Sequence, residues 1–555
     1  MREENRKHDR GSDRRGVLSA ALLAGAGAAL PTGPAHATTA HATTAHATTA
    51  HAESVRPNRS PAAAVRVARD DPRYDHLVSR GANRFRGTPD EVRLVESTAQ
   101  TVDAVRDAVR AGRRIAVRSG GHCFEDFVDH PGVRTLIDMS RMRAVFYDPV
   151  RHAFAVEAGA TLGEVYRALY LGWGVTVPGG YCPGVGAGGH VPGGGYGPLC
   201  RLFGLVSDHL YAVETVVVDR SGRTRSVIAT RERTDPNREL WWAHTGGGGG
   251  SFGVATRYWF RSPGTTRATP PEKLLPAPSA TALTFTARWD WKSVDRAAFT
   301  RLVDNFGRWA ERHSSPGAEE CAIYDEFILG QPAADNLQLF GQIAAAPAAA
   351  ERLLREHIGA VSEGTVRPAS LSSRTLPWLT AALRGSGEGV GDWRVKIKSG
   401  YARRRLTERQ TATVHRWLTR TDTDVFGSLS LNTYGGQVNA VASGATAAAQ
   451  RDSVLKLSYL AIWKEAAQDA AHLAWLREFY REMYAETGGV PVPGEVDDGA
   501  FINYPDVDLA DPRWNTSGTD WQTLYFKGNA ARLRAVKARW DPRGIFRHAL
   551  AVPAD

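Results

Sequence analysis

Val102, Val105 and Val109 recur three to four residues apart among polar neighbours, which predicts an amphipathic helix over 101–110. The apolar run Arg114-Ile-Ala-Val-Arg118 predicts a short buried strand that feeds a glycine-rich loop. Thr135-Leu-Ile-Asp138 and Ala153-Phe-Ala-Val-Glu157 predict two further short strands. Over 161–171 the pattern is helical again, with Thr161 as N-cap and Glu164 placed to complete a capping box. The valine-rich stretch 211–219 predicts a strong strand, closed by a turn at Arg220-Ser-Gly-Arg223. Strands alternating with helices in this way imply an α+β or α/β domain.

After Pro263 the pattern changes. Pro270, Pro271, Pro276 and Pro278 punctuate a linker, and new strand and helix patterns begin near Thr281. A first domain over 66–270 and a second over 271–491 follow. The N-terminus has the character of a targeting segment. Arg14-Arg15 precede a weakly apolar run from Gly16 to Leu30, and Ala35-His-Ala37 supplies small residues at a cleavage point, so 1–37 is expected to be a Tat-type export signal. The run is too short for a stable membrane span. Residues 38–65 are expected to be a low-complexity linker. An Ala-His-Ala-Thr-Thr repeat that starts at the cleavage point and runs into this linker places His36, His41, His46 and His51 five residues apart. Metal binding is one reading of that period; compositional linker is the favoured one, and no metal is expected.

The 555 residues exceed what one core organises. Hydrophobic residues at 42% and charged residues at 23% are ordinary for a soluble globular chain, so composition excludes a disordered or fibrous class. A formal charge of +10 raises nucleic acid as a partner, but no basic stripe interleaved with aromatics accompanies it. An arginine-rich solvated surface is the better account. The four cysteines, Cys123, Cys182, Cys200 and Cys321, match no zinc spacing, and a Cys200–Cys321 disulfide is left open.

Two glycine-rich loops carry the candidate chemistry. The first is Arg118-Ser119-Gly120-Gly121-His122; the second is Gly179-Gly180-Tyr181-Cys182, running through Gly186, Gly188, Gly189 and His190. Glycines let backbone amides approach a diphosphate or a planar ring without intervening side chains. A neutral imidazole at His122 can add to the 8α-methyl carbon of a flavin, and a thiolate at Cys182 to ring carbon C6 if amide dipoles lower its pKa. Each residue alone also fits a plainer role, a hydrogen-bonding loop histidine and a buried small thiol. Together they point to a flavin held twice. The stretch Gly184 to Gly189 fits G-x-G-x-x-G, but no clear strand leads into it and Pro192 disfavours a following helix, so a nicotinamide fingerprint is not favoured. The five glycines from Gly246 lack a following Lys-Ser/Thr and are no phosphate loop for nucleoside triphosphates.

With these loops, Trp241 through Gly253 and Phe501-Ile-Asn503-Tyr504-Pro-Asp506, the chain resembles the berberine-bridge-enzyme-like flavoprotein oxidases of the vanillyl-alcohol-oxidase superfamily, from about Asp71 to the C-terminus. Within that family it is most similar to the hexose oxidases that tailor glycopeptide antibiotics. The resemblance implies an α+β fold: a PCMH-type FAD-binding domain, a substrate domain with an antiparallel sheet covered by helices, and a return to the first domain over 492–555. It implies FAD attached to both His122 and Cys182. Further cofactor contacts are implied at Gly249, Gly250, Ser251, Phe252, Gly253 and Asn503. It also implies Tyr504 as the base that removes a substrate hydroxyl proton, with Tyr434 as its partner. Hydride then passes to flavin N5 and dioxygen leaves as hydrogen peroxide. As plain core tyrosines both would keep satisfied hydroxyls and a pKa of about 10, too high for a base. Lys396 and Lys398 are candidate cations to depress it. The implied substrate is a hydroxyl, most simply of a sugar, on a glycosylated natural product or oligosaccharide. An oxidative cyclase or dehydrogenase of a polyketide or alkaloid is the alternative, and a non-catalytic flavin-fold binding protein a third reading. Phe501, where relatives often carry tyrosine, and the bulky flanks Tyr181 and Pro183 make substrate transfer from any one relative unsafe.

Overall fold

The computed structural model describes residues 63–80, 84–384 and 393–554. The expected export signal over 1–37 and the histidine repeat lie outside the described residues.

Three sheets organise the chain. The first has strands β1 (Val65–Ala68), β2 (Glu91–Leu94), β3 (Ile115–Arg118) and β4 (Thr135–Asp138) in the order β1-β2-β4-β3, with parallel pairing of β4 to both β2 and β3. The second has β5 (Val145–Asp148), β6 (Ala153–Glu157), β7 (Leu210–Val218), β8 (Thr224–Thr230) and β9 (Val254–Phe260), antiparallel in the order β5-β6-β9-β7-β8. The third has β10 (Thr281–Asp290), β11 (Ile323–Gly330), β12 (Asn336–Ile343), β13 (Ser370–Pro377), β14 (Arg394–Ala402), β15 (Gly427–Thr433) and β16 (Leu455–Trp463). It is antiparallel throughout, in the order β13-β10-β12-β11-β15-β16-β14. The α+β class holds.

Local sequence accounts for many of these elements. The helix Thr98–Arg110 begins three residues before the expected start at 101 because Ser97 caps it, accepting from the Gln100 N–H. In the helix Leu162–Trp173 the capping box forms as expected: Thr161 N–H donates to Glu164 Oε2 at 2.9 Å, and Glu164 N–H to Thr161 Oγ1 at 3.4 Å. Gly174 ends it at φ +70°, a left-handed conformation that a β-carbon disfavours.

Helices Arg296–Arg312, Pro347–Val361, Glu408–Leu418 and Asp469–Met483 cover one face of the third sheet. Asp469–Met483 buries Trp475, Leu476, Phe479, Tyr480 and Met483 against it. Full burial of such side chains contributes roughly 1.5–3 kcal/mol each. The other face is left for the cavity described below. The last residues pack back on the first half of the chain. Lys537 Nζ donates to Ser251 O at 2.6 Å, Arg532 forms a two-pronged pair with Glu239, and His548 Nε2 lies 3.0 Å from Gly249 O.

Candidate active site

Strand β3 ends at Arg118, whose guanidinium is committed to Asp138 Oδ2 at 2.5 and 2.8 Å. Ser119 Oγ then donates to Ala158 O at 2.6 Å, and the chain turns through Gly120 and Gly121. Here the two glycine loops touch. A β-carbon on Gly120 would sit 2.3 Å from Gly186 N, and one on Gly186 would sit 2.0 Å from Ser119 Oγ. Only glycine permits that approach. Gly189 has nothing within 4 Å of where its β-carbon would stand, and its bare backbone faces an open cavity of about 350 Å³. The bare backbone of these glycines, the apolar side chains of Val117, Met139 and Val254, and the rings of Tyr324 and Tyr504 line this one cavity, a lining that fits a ligand with polar phosphates and a flat ring.

His122 and Cys182 both line this cavity. Burial, reinforced by the charge of Arg80, pushes the His122 imidazole below its ordinary range and so favours its neutral form. Arg80 also braces the loop, donating to Cys123 O, to Glu125 O at 3.0 Å and to Asp129. The expected lowering of the Cys182 pKa is not found. Burial, with Glu326 adding to it, pushes the thiol up to about 11, because both oppose the charged thiolate. His190 is pushed down to about 4 by burial and accepts from Gly180 N–H at 3.1 Å. Its own carbonyl accepts from Asn503 Nδ2 at 2.9 Å, which ties the Tyr504 segment to the second glycine loop.

The opposite wall is built by sheet register. Glu326 on β11 pairs with Asn432 on β15, and Asn432 with Lys456 on β16, so the three side chains form a row on one face. All three line the cavity with Tyr324, Phe501 and Tyr504. Ser430 and Asn432 hydrogen-bond Glu326, yet burial keeps its carboxyl above its ordinary range. Burial pushes Lys456 down to about 8, opposed by Glu326. Its Nζ stands 4.2 Å from the centre of the Tyr504 ring. Ser458, two residues on and on the same face, hydrogen-bonds the Tyr504 hydroxyl, whose pKa burial and Glu326 hold well above the usual tyrosine range.

Lys396 and Lys398 do not supply the cation expected at Tyr504. Alternation on β14 turns them to the helix-covered face, where Asp506 and Asp508 neutralise them, with Glu125 also on Lys396. Tyr434 also departs from expectation: it lies off the cavity, its hydroxyl donating to Gln450 O at 3.2 Å and its ring packed on Tyr196 and Tyr401. Gly179 is behind the wall, where a β-carbon would strike the Tyr166 hydroxyl at 2.5 Å. Ser251 is turned away as well, its hydroxyl accepting from Val552 N–H. The remaining expected residues, Arg118 to His122, Gly180, Cys182, Gly186, Gly188 to His190, Gly249, Gly250, Phe252, Gly253, Asn503 and Tyr504, all line one cavity. All four cysteines are free thiols; Cys200 Sγ donates to Pro178 O and Cys321 Sγ to Ser315 O, so the Cys200–Cys321 bridge is absent.

Sequence reasoning missed Tyr324, Glu326, Asn432 and Lys456. A signal existed for the last, a lone lysine inside the strand Leu455-Lys-Leu-Ser-Tyr-Leu-Ala-Ile-Trp463, where a charge is costly without a purpose.

A family described as "FAD binding domain" matches residues 89–227, and one described as "Berberine and berberine like" matches residues 500–553. The chain is 56% identical to an aclacinomycin-N/aclacinomycin-A oxidase of Streptomyces galilaeus over 491 residues, 88% of this chain and 90% of that protein. It is 31% identical to a hexose oxidase of Chondrus crispus, over 87% and 94% of the two chains. The structure of a glycopeptide hexose oxidase complexed with teicoplanin superposes with TM-score 0.85 at 51% identity, covering 88% of this chain and 99% of the other.

Proposed function

The chain belongs to the berberine-bridge-enzyme-like family of FAD-dependent oxidases, and we propose that it is an exported oxidase of a sugar hydroxyl on a glycosylated natural product or oligosaccharide. The observation that carries this reading is the convergence of His122, Cys182 and Tyr504 on one cavity whose far wall bears the polar row Glu326, Asn432 and Lys456. Such a row suits a ligand rich in hydroxyls, which donate to the carboxylate and amide and accept from the ammonium and amide. The relatives named for aclacinomycin, hexose and glycopeptide hexose oxidation support the substrate class. The twin arginines at Arg14-Arg15 support export.

His122 and Cys182 are the proposed attachment points, and the amides of Gly120, Gly121, Gly186, Gly188 and Gly189 the cradle. Bound FAD supplies the acceptor for two electrons and the carbon-bound hydrogen, and dioxygen takes both away as hydrogen peroxide. The protein's part is proton transfer and placement. Tyr504 Oη, as phenolate, takes the proton of the substrate hydroxyl. Lys456, facing the same ring, stabilises that phenolate, and Ser458 donates to its oxygen. Burial excludes water, which strengthens both effects. Tyr434, with its hydroxyl committed to Gln450, packs behind this group instead of meeting substrate.

Intact mass and peptide mapping of the denatured protein test the attachment. FAD on both His122 and Cys182 is the expected result; FAD on His122 alone withdraws the role of Cys182, and no covalent flavin refutes the cofactor reading. A peroxide-coupled screen of sugars and glycosylated antibiotics then tests the substrate class. In that screen Tyr504→Phe is expected to lose at least about 10²-fold in kcat with flavin content unchanged.

A further inference from the structure

Strand β14 lies at one edge of the third sheet, and two loops straddle it. On the cavity face, Val395 and Ile397 pack against Phe124 and Tyr504, whose rings meet edge-on at 5.8 Å. On the other face, the intervening lysines grip the residues that follow those aromatics. Lys396 Nζ binds Glu125 from the His122 loop, and Asp506 Oδ1 at 2.7 Å from the Tyr504 loop. Lys398 Nζ binds Asp506 Oδ2 at 2.6 Å and Asp508 Oδ2 at 2.7 Å. Arg84 adds a 2.7 Å contact to Glu125, and Arg477 one of 2.8 Å to Asp508. Both lysines and all three carboxylates are at most 3% exposed.

Burying that many charges at one strand edge is expensive, and apolar side chains of similar volume would stabilise the fold at least as well. What ions supply here that apolar packing does not is register. Glu125 is three residues from His122, and Asp506 two from Tyr504. A single ammonium therefore fixes the distance between the loop proposed to hold the flavin and the loop proposed to hold the base. We infer that Lys396, with Lys398, is a positioning clamp that sets Tyr504 against the flavin-attachment loop by gripping both loops across the edge of the substrate sheet.

This inference rests on the proposed roles of His122 and Tyr504, and its test separates the two. In wild-type protein, peptide mapping gives the fraction of His122 and of Cys182 that carries FAD; no flavin on His122 there refutes the proposed function itself. Glu125→Gln keeps shape but releases the His122 loop, so flavin on His122 is expected to fall at least threefold while flavin on Cys182 is kept. Lys398→Met loosens the Tyr504 loop, leaving Asp506 to Lys396 and Asp508 to Arg477, without touching Glu125. It is expected to keep flavin on His122 and to lower kcat about tenfold with KM within threefold. Lys396→Met should do both, and Lys396→Arg should restore at least half of each. If Lys396→Met fails to fold, the contrast between the other two variants decides. Variants that match wild type in both readouts, or that lose both in proportion to a lowered melting temperature, would overturn the clamp and leave the network a matter of stability alone.

Discussion

Replacing Lys456 by Met removes a cation that faces the Tyr504 ring while keeping an unbranched apolar stem in its place. Nζ lies 4.2 Å from the ring centre, and both residues are buried in the cavity wall. At that separation a unit charge and a phenolate interact by about 4 kcal/mol at an effective dielectric constant near 20. Spreading the phenolate charge between oxygen and ring leaves roughly half, about 2 kcal/mol, or one to two pKa units. Tyr504 already sits well above an ordinary tyrosine because burial and Glu326 oppose its ionisation. Losing Lys456 raises it further, so less phenolate is present at any given pH. The expected result is a fall in kcat of about 30-fold at pH 7.5, with the acid limb of the pH profile moved up by one to two units. Because Tyr504 holds its proton to higher pH than Lys456, the pair reaches the one-proton state that contains phenolate and ammonium only as pH rises through about 8, so wild-type activity should rise through that pH and the variant should lack the step. The assay is peroxide release followed with a peroxidase-coupled dye from pH 6 to 10, normalised to flavin absorbance. A variant within threefold of wild-type kcat, with an unchanged profile, would refute the role given to Lys456.

Gly186→Ala should give folded protein without bound flavin, seen as missing visible absorbance after purification, because the new methyl would strike Ser119 Oγ at 2.0 Å and Gly120 N at 2.2 Å where the two loops meet. Asp497 offers a pH-dependent test of stability. Burial raises its folded-state pKa to about 7 from an ordinary 3.8, so below about 4 both states are protonated and the group contributes nothing. As pH rises the unfolded chain ionises first, and the full destabilisation is reached above about 7. Asp497→Asn should therefore raise the melting temperature by about 1–2 °C at pH 8 and leave it unchanged at pH 4 when followed by circular dichroism.

Much of the first half was legible in local pattern. The valine spacing of Thr98–Arg110, the capping box at Thr161 and Glu164 and the apolar runs of β3, β4, β6 and β7 all act within a few residues, so their signals survive without tertiary context. The placement of His122, Cys182, Gly120, Gly121, Gly180, Gly186, Gly188 and Gly189 on one cavity was legible for a similar reason, since each shares a short segment with the backbone around it. Tyr434 misled because a tyrosine beside glycines on a loop looks the same from sequence whether its hydroxyl meets a cavity or Gln450 O. Lys396 and Lys398 misled for a related reason: alternation along β14 is plain in the sequence, but not which face looks on the cavity.

By itself, then, the sequence determined which residue types could carry redox chemistry and which loops could approach a flat, phosphorylated ligand, because glycine freedom and side-chain chemistry are local properties. Tertiary structure alone decided the site's other wall. Glu326, Asn432 and Lys456 lie over a hundred residues apart at the extremes, and they become neighbours only through the register of β11, β15 and β16. A shift of one residue in that register would turn Lys456 onto the helix-covered face and leave Tyr504 without its cation.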